Sequence, residues 1–278
     1  MRNPYLEEIL SLDPVRDHQR IVRLDACYEF PFDTTRSLEL ALFRTFAVPS
    51  IGQLLHSTGE FTERAQKRYD DTDLLISSFA EEGYDSELGK AAIRRMNRIH
   101  GRFPIANDDF LYVLSTMVFE PIRWNRRFGW RRLVEQERLA TFEFWREVAR
   151  RMAIKDVPET YEEFERFNVE FERDRFEYTD AGRRVADATV DMFVRWFPGL
   201  PLRVGRRAIH ALLDEPLLEA FRYPKPPRAL RAAVQAGLRA RGRAVRFLPP
   251  RRRPRVRTAM RHRSYPSGWR VEELGPAP

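Results

Sequence analysis

Residues 68–100 read RYDDTDLLISSFAEEGYDSELGKAAIRRMNRIH, and the spacing of their apolar side chains decides the fold. Leu88, Ala92, Met96 and His100 recur every four residues, which places them on one stripe of a helix predicted over Ser86–Arg102. Arg68, Thr72, Leu75 or Ile76, and Phe79 share a face of a preceding helix predicted over Phe61–Ala80. Gly83 follows that helix and suits a left-handed C-terminal cap. A histidine therefore ends one apolar row, and a guanidinium with a hydroxyl interrupts another. Burying the cation is costly unless an anion or acceptor meets it. If these faces meet, the two helices enclose a cofactor between them. Taken singly, His100 reads as a core histidine satisfied by backbone or carboxylate. Arg68 and Thr72 read as a buried salt bridge and a hydroxyl bonded to a preceding carbonyl. Asp70, Asp71 and Asp73 are near partners for Arg68, and their run is expected to be a solvated helix face.

The same periodicity extends along the chain, and strand-type alternation is scarce. Helices are predicted over Pro4–Leu12, Thr35–Thr45, Val48–Leu55, Asp108–Phe119, Trp130–Met152, Tyr161–Phe176, Ala181–Trp196, Leu202–Phe221 and Pro227–Ala240. Asn107 is expected to cap the helix that opens at Asp108, and Pro121 to mark its exit. The fold class is all-α: a single helical domain of about ten helices, with a basic C-terminal extension. The expected division is a catalytic domain over residues 1–226 and an Arg/Pro-rich helix and tail over 227–278, ending in an irregular stretch from Tyr265.

The chain has 278 residues, 43% of them hydrophobic, with 20 Phe, 9 Tyr and 5 Trp, enough for a sizeable core. Its net charge of +8 is local. Arg228–Arg263 holds 13 Arg and no Lys, Asp or Glu, leaving −5 on the remainder. Few aromatics interleave those arginines and no groove-reading motif is present. Contact with an anionic membrane is therefore ranked above nucleic acid, and a solvated, partly disordered extension, free or packed on the acidic body, above both. A single cysteine, Cys27, excludes an intrachain disulfide and a thiolate cluster. The opening MRNPYLEEILSLDP has no apolar run of the secretory type, and Phe110–Phe119 is far short of the roughly 20 residues of a spanning helix. The localisation expected is cytoplasmic, peripheral to a membrane at most.

None of His18, His56, His100, His210 and His262 has an acidic residue three positions before it, which argues against a helical di-iron carboxylate site. Nucleophile-elbow, phosphate-loop, dinucleotide and zinc-protease motifs are absent too. The iron chemistry that survives needs one protein ligand, as in haem held by one histidine.

The runs KRYDDTDLLISSFAEEG (67–83), AAIRRMNRIHGRF (91–103) and PIANDDFLYVLSTMVFEP (104–121) resemble the family of rubber oxygenases (latex-clearing proteins) and the fungal ER-bound oxygenase MpaB, and the ending YPSGWRVEELGP (265–276) resembles the close of its bacterial members. The resemblance implies an all-α haem-b oxygenase, with His100 as axial ligand of the iron and Arg68 and Thr72 as catalytic residues of the distal pocket. Leu88, Ala92, Met96 and Phe103 would pack the porphyrin. The implied substrates are dioxygen and an apolar small molecule, with an unidentified electron donor if one is required. Rubber oxygenases carry lysine before the distal threonine, where this chain has Asp71, and no position matches their catalytic glutamate; Glu60 and Glu63 are nearby candidates. Both departures point away from polyisoprene. The competing readings are a non-catalytic helical binding module recruited by its basic tail, and a haem carrier or sensor.

Overall fold

The computed structural model describes residues 3–276, and among them are fourteen α-helices and no strand. The fold is all-α. The helices are α1 (Pro4–Ser11), α2 (His18–Leu24), α3 (Pro31–Phe46), α4 (Pro49–Ser57), α5 (Glu60–Glu63), α6 (Ala65–Glu82) and α7 (Glu87–His100). Then follow α8 (Asn107–Phe128), α9 (Glu135–Arg151), α10 (Tyr161–Arg175), α11 (Asp180–Arg195), α12 (Leu202–His210), α13 (Glu215–Ala220) and α14 (Arg228–Val245). The count exceeds the expected ten for local reasons. The predicted helix over Phe61–Ala80 breaks at Arg64, and that over Leu202–Phe221 breaks where Asp214 caps α13 by accepting from the Leu217 N–H. The short α2, which runs into a π-turn at Asp25–Glu29, carried too few turns to show periodicity.

Two boundaries differ instructively. Pro121 does not end its helix: α8 runs on to Phe128 with the proline inside. Proline in a helix interior forfeits a hydrogen bond and costs roughly 3 kcal/mol, which burial of the second half offsets. The Trp124 indole donates to Asp33 at 2.9 Å, and Phe128 and Trp124 are both in the core. The predicted helix from Trp130 starts only at Glu135. Arg131 is drawn into buried pairs with Glu29 (2.7 Å) and Glu137 (2.5 Å), while Glu137 accepts the Val134 N–H.

α8 and α3 form the central pair, flanked by α11 on α4, α2 on α9 and α6 on α7. One apolar cluster gathers Phe79, Phe144, Trp145, Phe119 and Phe164; a second gathers Phe43, Phe46, Phe61, Phe193 and Phe221. Each such ring removes enough apolar surface to contribute roughly 1.5–3 kcal/mol. α4 and α11 cross at Gly52 and Gly182, where an added Cβ on Gly182 would sit 2.4 Å from the Phe46 carbonyl oxygen, so the crossing requires glycine.

A polar hub ties four of these elements. The Arg44 guanidinium on α3 is buried; it meets Glu120 on α8 at 2.7 Å, Glu172 on α10 at 2.9 Å, and Asp214 at the start of α13. Tyr112 adds a hydrogen bond to Glu172 at 3.2 Å.

The chain beyond residue 226 packs on what precedes it. Arg231 pairs with Glu215 (3.0 Å), Arg241 with Asp33 (2.7 Å) and Arg257 with Asp73. After α14 an arm spanning 246–276 lies along α6 and α7. The Glu81 carboxylate accepts from the Thr258 N–H (3.1 Å) and hydroxyl (2.7 Å), and Asp70 accepts from the Ser264 N–H at 2.8 Å. Tyr265 donates to Asp71, and Leu274 is fully buried. The expected solvated face is thus corrected: Asp70 and Asp71 are buried and Asp73 is paired, because the arm supplies cations and donors to all three. Residues 277 and 278 of the expected tail lie outside the described residues. No single helix among those described is long and apolar enough to cross a membrane.

Candidate functional site

The α5–α6 break and the α6–α7 turn aim the sequence-selected side chains at one space. A cavity of about 240 Å³ lies between α3, α4, α6, α7 and α8, and Arg68, Thr72, Met96 and His100 all line it. Its remaining wall is mostly apolar, with Leu54, Leu55, Ile76, Phe103, Phe110 and Val113 prominent. The facing of the two helices is therefore realised. Leu88 and Ala92 do not reach the cavity and pack in the core, while Met96 and Phe103 do reach it. A stripe at four-residue spacing drifts around a helix, so only its C-terminal end points inward. Glu60 lines the cavity and is buried against Arg64 at 2.5 Å; Glu63 is exposed.

His100 is the most distinctive group. Its Nδ1 is buried with no hydrogen-bond partner among the described residues, and its ring meets Phe110 edge-on at 5.2 Å. Burial, with the Arg68 guanidinium adding repulsion, pushes the imidazole down to about 4. At neutral pH it is an uncharged ring, the form that ligates a metal. No backbone or carboxylate satisfies it, contrary to what an ordinary core histidine shows.

Arg68 stands above the Phe61 ring (5.1 Å) and donates to Thr72 Oγ1, whose own hydroxyl donates to the Arg68 carbonyl at 3.0 Å. No carboxylate lies within ion-pair distance of it among the described residues, and burial lowers its proton affinity. The neighbouring acids are engaged elsewhere. Asp71 is held by Lys67 at 2.8 Å and by Tyr265, Asp70 by Gln66 at 3.0 Å and by Ser264. Asp71 also lines the cavity, and its charge is matched by Lys67 one turn earlier.

Several lining residues were not legible beforehand. Ile51, Leu54 and Leu55 come from α4, Asp109 and Val113 from α8, and Gly275 and Pro276 from the arm. Lys67 fixes the arm there by donating to the Gly275 carbonyl at 2.9 Å, and Arg95 by donating to that of Leu274 at 2.7 Å. A smaller cavity of about 80 Å³ adjoins the first, with Leu42, Thr72, Ile76 and Met117 lining both. It contains Glu39, which accepts from Tyr69 at 2.7 Å and pairs with Arg36 at 2.6 Å; burial pushes its carboxyl up to about 7.

The depressed His100 predicts a pH signature for the ligand-free protein. An unfolded histidine binds its proton near 6.5 and the native ring only near 4. Stability is thus intact above the unfolded value and falls as pH drops toward 4, by about 2 kcal/mol once partial solvation is allowed for. Urea unfolding at pH 7 and pH 4.5 should show a smaller acid loss for His100→Gln than for the native chain; equal losses would contradict a neutral buried ring.

A histidine nitrogen without a partner in an apolar wall, a guanidinium without an ion pair among the described residues and a hydroxyl bonded to it are residue types that an iron porphyrin site uses. No group of three or more His, Cys, Asp or Glu able to hold a bare metal ion occurs among the described residues.

Residues 38–247 match the family model described as "ER-bound oxygenase mpaB/B'/Rubber oxygenase, catalytic domain". The chain is 28% identical over 242 residues to ER-bound oxygenase mpaB' of Penicillium brevicompactum, covering 81% of this chain and 57% of that protein. It is 28% identical over 223 residues to ER-bound oxygenase mpaB of Penicillium roqueforti (strain FM164), covering 73% and 74%. With ER-bound oxygenase mpaB of P. brevicompactum it shares 29% identity over 224 residues, 74% of this chain and 57% of the relative. The chain thus spans little more than half the length of two of these relatives.

Proposed function

Because the chain belongs to the ER-bound oxygenase mpaB/B′ and rubber oxygenase catalytic-domain family, we propose that it is a haem-b-dependent oxygenase that oxidises or cleaves an apolar small molecule with dioxygen. The observation that carries the reading is the convergence on one apolar cavity of a neutral His100, whose Nδ1 has no partner among the described residues, and an Arg68 guanidinium without an ion pair among them. When bound, haem would supply an iron centre for dioxygen activation. His100 would hold the iron, and Met96 and Phe103 would be apolar walls for the porphyrin. Arg68 would offer guanidinium donors to negative charge in the cavity, where a buried donor acts more strongly than in water. Its contact with Thr72 holds it in place. The Thr72 hydroxyl is committed to the Arg68 carbonyl at 3.0 Å, so moving a proton there requires that hydroxyl to rotate. Glu39, beside the opposite wall of Thr72, holds a carboxyl proton near neutral pH. Leu54, Leu55, Ile76 and Val113 exclude water and select an apolar substrate. Cytoplasmic residence belongs to the same reading, with Cys27 a buried free thiol.

The test is the absorption spectrum, with a pyridine haemochrome assay, of protein expressed with haem precursor. The native chain should carry about one haem and His100→Ala should lose it while remaining folded. A native chain that stays colourless after reconstitution would overturn the cofactor. Stable haem without oxygen consumption across a lipid and terpenoid panel would favour a carrier or sensor.

A further inference from the structure

The turn between α11 and α12, with the first residues of α12, exposes four large apolar side chains outside the cavity; Phe247 and Leu248 are a second, shorter exposed pair. Phe197, Leu200, Leu202 and Val204 are 59%, 39%, 44% and 52% exposed within eight consecutive residues. Scattered exposed apolar side chains are ordinary, but four large ones within a turn and the first helical residues after it are not. The turn is also preset. Pro198 and Pro201 restrict it, Gly199 takes a positive φ of 91°, and the Leu200 N–H closes on the Phe197 carbonyl at 3.1 Å. Below it the base is anchored: the Trp196 indole donates to Gln66 Oε1 at 2.6 Å on α6, two residues before Arg68, and Gly205 packs on Val194. The tip is therefore held out on a rigid stem rather than left over from an incomplete core.

Along the chain, the charges flanking this tip have one sign. No Asp or Glu occurs from Met192 to Leu213, and Arg195, Arg203 and Arg207 are exposed without an ion pair among the described residues. Arg206 alone is paired, to Asp191 at 2.6 Å. Apolar side chains rimmed by arginines match a surface that is anionic outside and hydrocarbon beneath. A second copy of the chain fits poorly, since a two-fold contact would set these arginines against themselves. Nucleic acid fits poorly too, because the tip presents one aromatic ring and no groove.

We propose that the α11–α12 tip is a membrane-docking surface, in which Phe197, Leu200, Leu202 and Val204 enter the interface of an anionic phospholipid bilayer and Arg195, Arg203 and Arg207 hold its headgroups. The arginines at 251–253 are not required for it. This assignment is independent of haem binding.

The experiment is co-sedimentation of the full chain with vesicles of phosphatidylcholine alone or with about a quarter phosphatidylserine. The native chain should sediment with the anionic vesicles and not the neutral ones. Arg203→Gln/Arg207→Gln should lower partitioning by roughly fivefold per arginine, and Phe197→Ser/Leu202→Ser by at least about tenfold, with unchanged circular dichroism. Leu200→Ser/Val204→Ser serves as a second apolar pair. Failure to bind anionic vesicles overturns the proposal, as does binding that these pairs leave intact while Arg251→Gln/Arg252→Gln/Arg253→Gln abolishes it. A native dimer in solution that Phe197→Ser dissociates would assign the tip to self-association instead. Tight DNA binding lost only with the arginines would assign it to nucleic acid.

Discussion

Truncation after Pro254 should unfold the protein, or lower its stability by more than about 4 kcal/mol. The arm beyond that residue buries Val271 and Leu274 and packs Tyr265 and Trp269 on the largest core cluster. Four such side chains contribute roughly 6–12 kcal/mol, and together with the arm's ion pairs and hydrogen bonds this burial offsets the entropy of ordering it. The arm is also the partner of a row of acids on α6. Without Arg257, Asp73 loses its cation; without Thr258, Glu81 loses three donors, counting the Arg257 N–H; without Ser264 and Tyr265, Asp70 and Asp71 each lose one. The cavity would open at the same time, because Gly275 and Pro276 form part of its wall and Lys67 would no longer reach the Gly275 carbonyl. Urea unfolding followed by circular dichroism measures the loss. A truncated chain with an unchanged midpoint would mean that the arm rests on the body without contributing to it.

Arg44→Met should be the most damaging single substitution in the fold, at about 3–5 kcal/mol. The side chain is of similar length, so the loss is electrostatic rather than steric. It strands Glu120, Glu172 and Asp214 around a missing cation, with Arg123 left to serve Glu120 at 2.9 Å and Glu172 at 3.7 Å. Glu172 already binds its proton more readily than an ordinary glutamate, chiefly from burial that Arg44 partly counters. In the variant that counterweight is gone, so the native state takes up protons that the unfolded chain does not. Stability of Arg44→Met relative to the native protein should therefore recover as pH falls toward the carboxylate range, and Glu172→Gln in the same background should restore part of it at pH 7. A loss under about 1 kcal/mol would mean that water enters the hub and solvates the acids.

Much of the helical architecture was legible because apolar spacing is a local property. α1, α7, α10 and α11 fall within two residues of expectation, since each carries three or four periodic contacts and a polar start. The candidate site was legible in part for the same reason: Arg68 and Thr72 are one turn apart on α6, and His100 lies at the end of α7 on the face that also carries Met96. What stayed hidden depended on residues distant in sequence. Pro121 reads as a stop signal until Asp33, 88 residues earlier, is seen to hold Trp124 from across the core. Glu39 is buried where Tyr69, 30 residues later, donates to it, a contact no local pattern announces.

By itself the sequence determined that the chain is helical, that its basicity is confined to one end, and that a histidine, an arginine and a threonine lie on apolar helix faces. All of these follow from composition and from the 3.6-residue period, which any stretch of chain expresses without help from the rest. Only the tertiary structure decided that those faces meet around a cavity, that among the described residues Arg68 has no carboxylate within ion-pair distance while its acidic neighbours are matched by Lys67 and the C-terminal arm, and that residues 197–204 expose their apolar side chains. Burial and charge pairing are set by whichever segment arrives from far along the chain, and a local pattern records which surface is apolar without recording what comes to cover it.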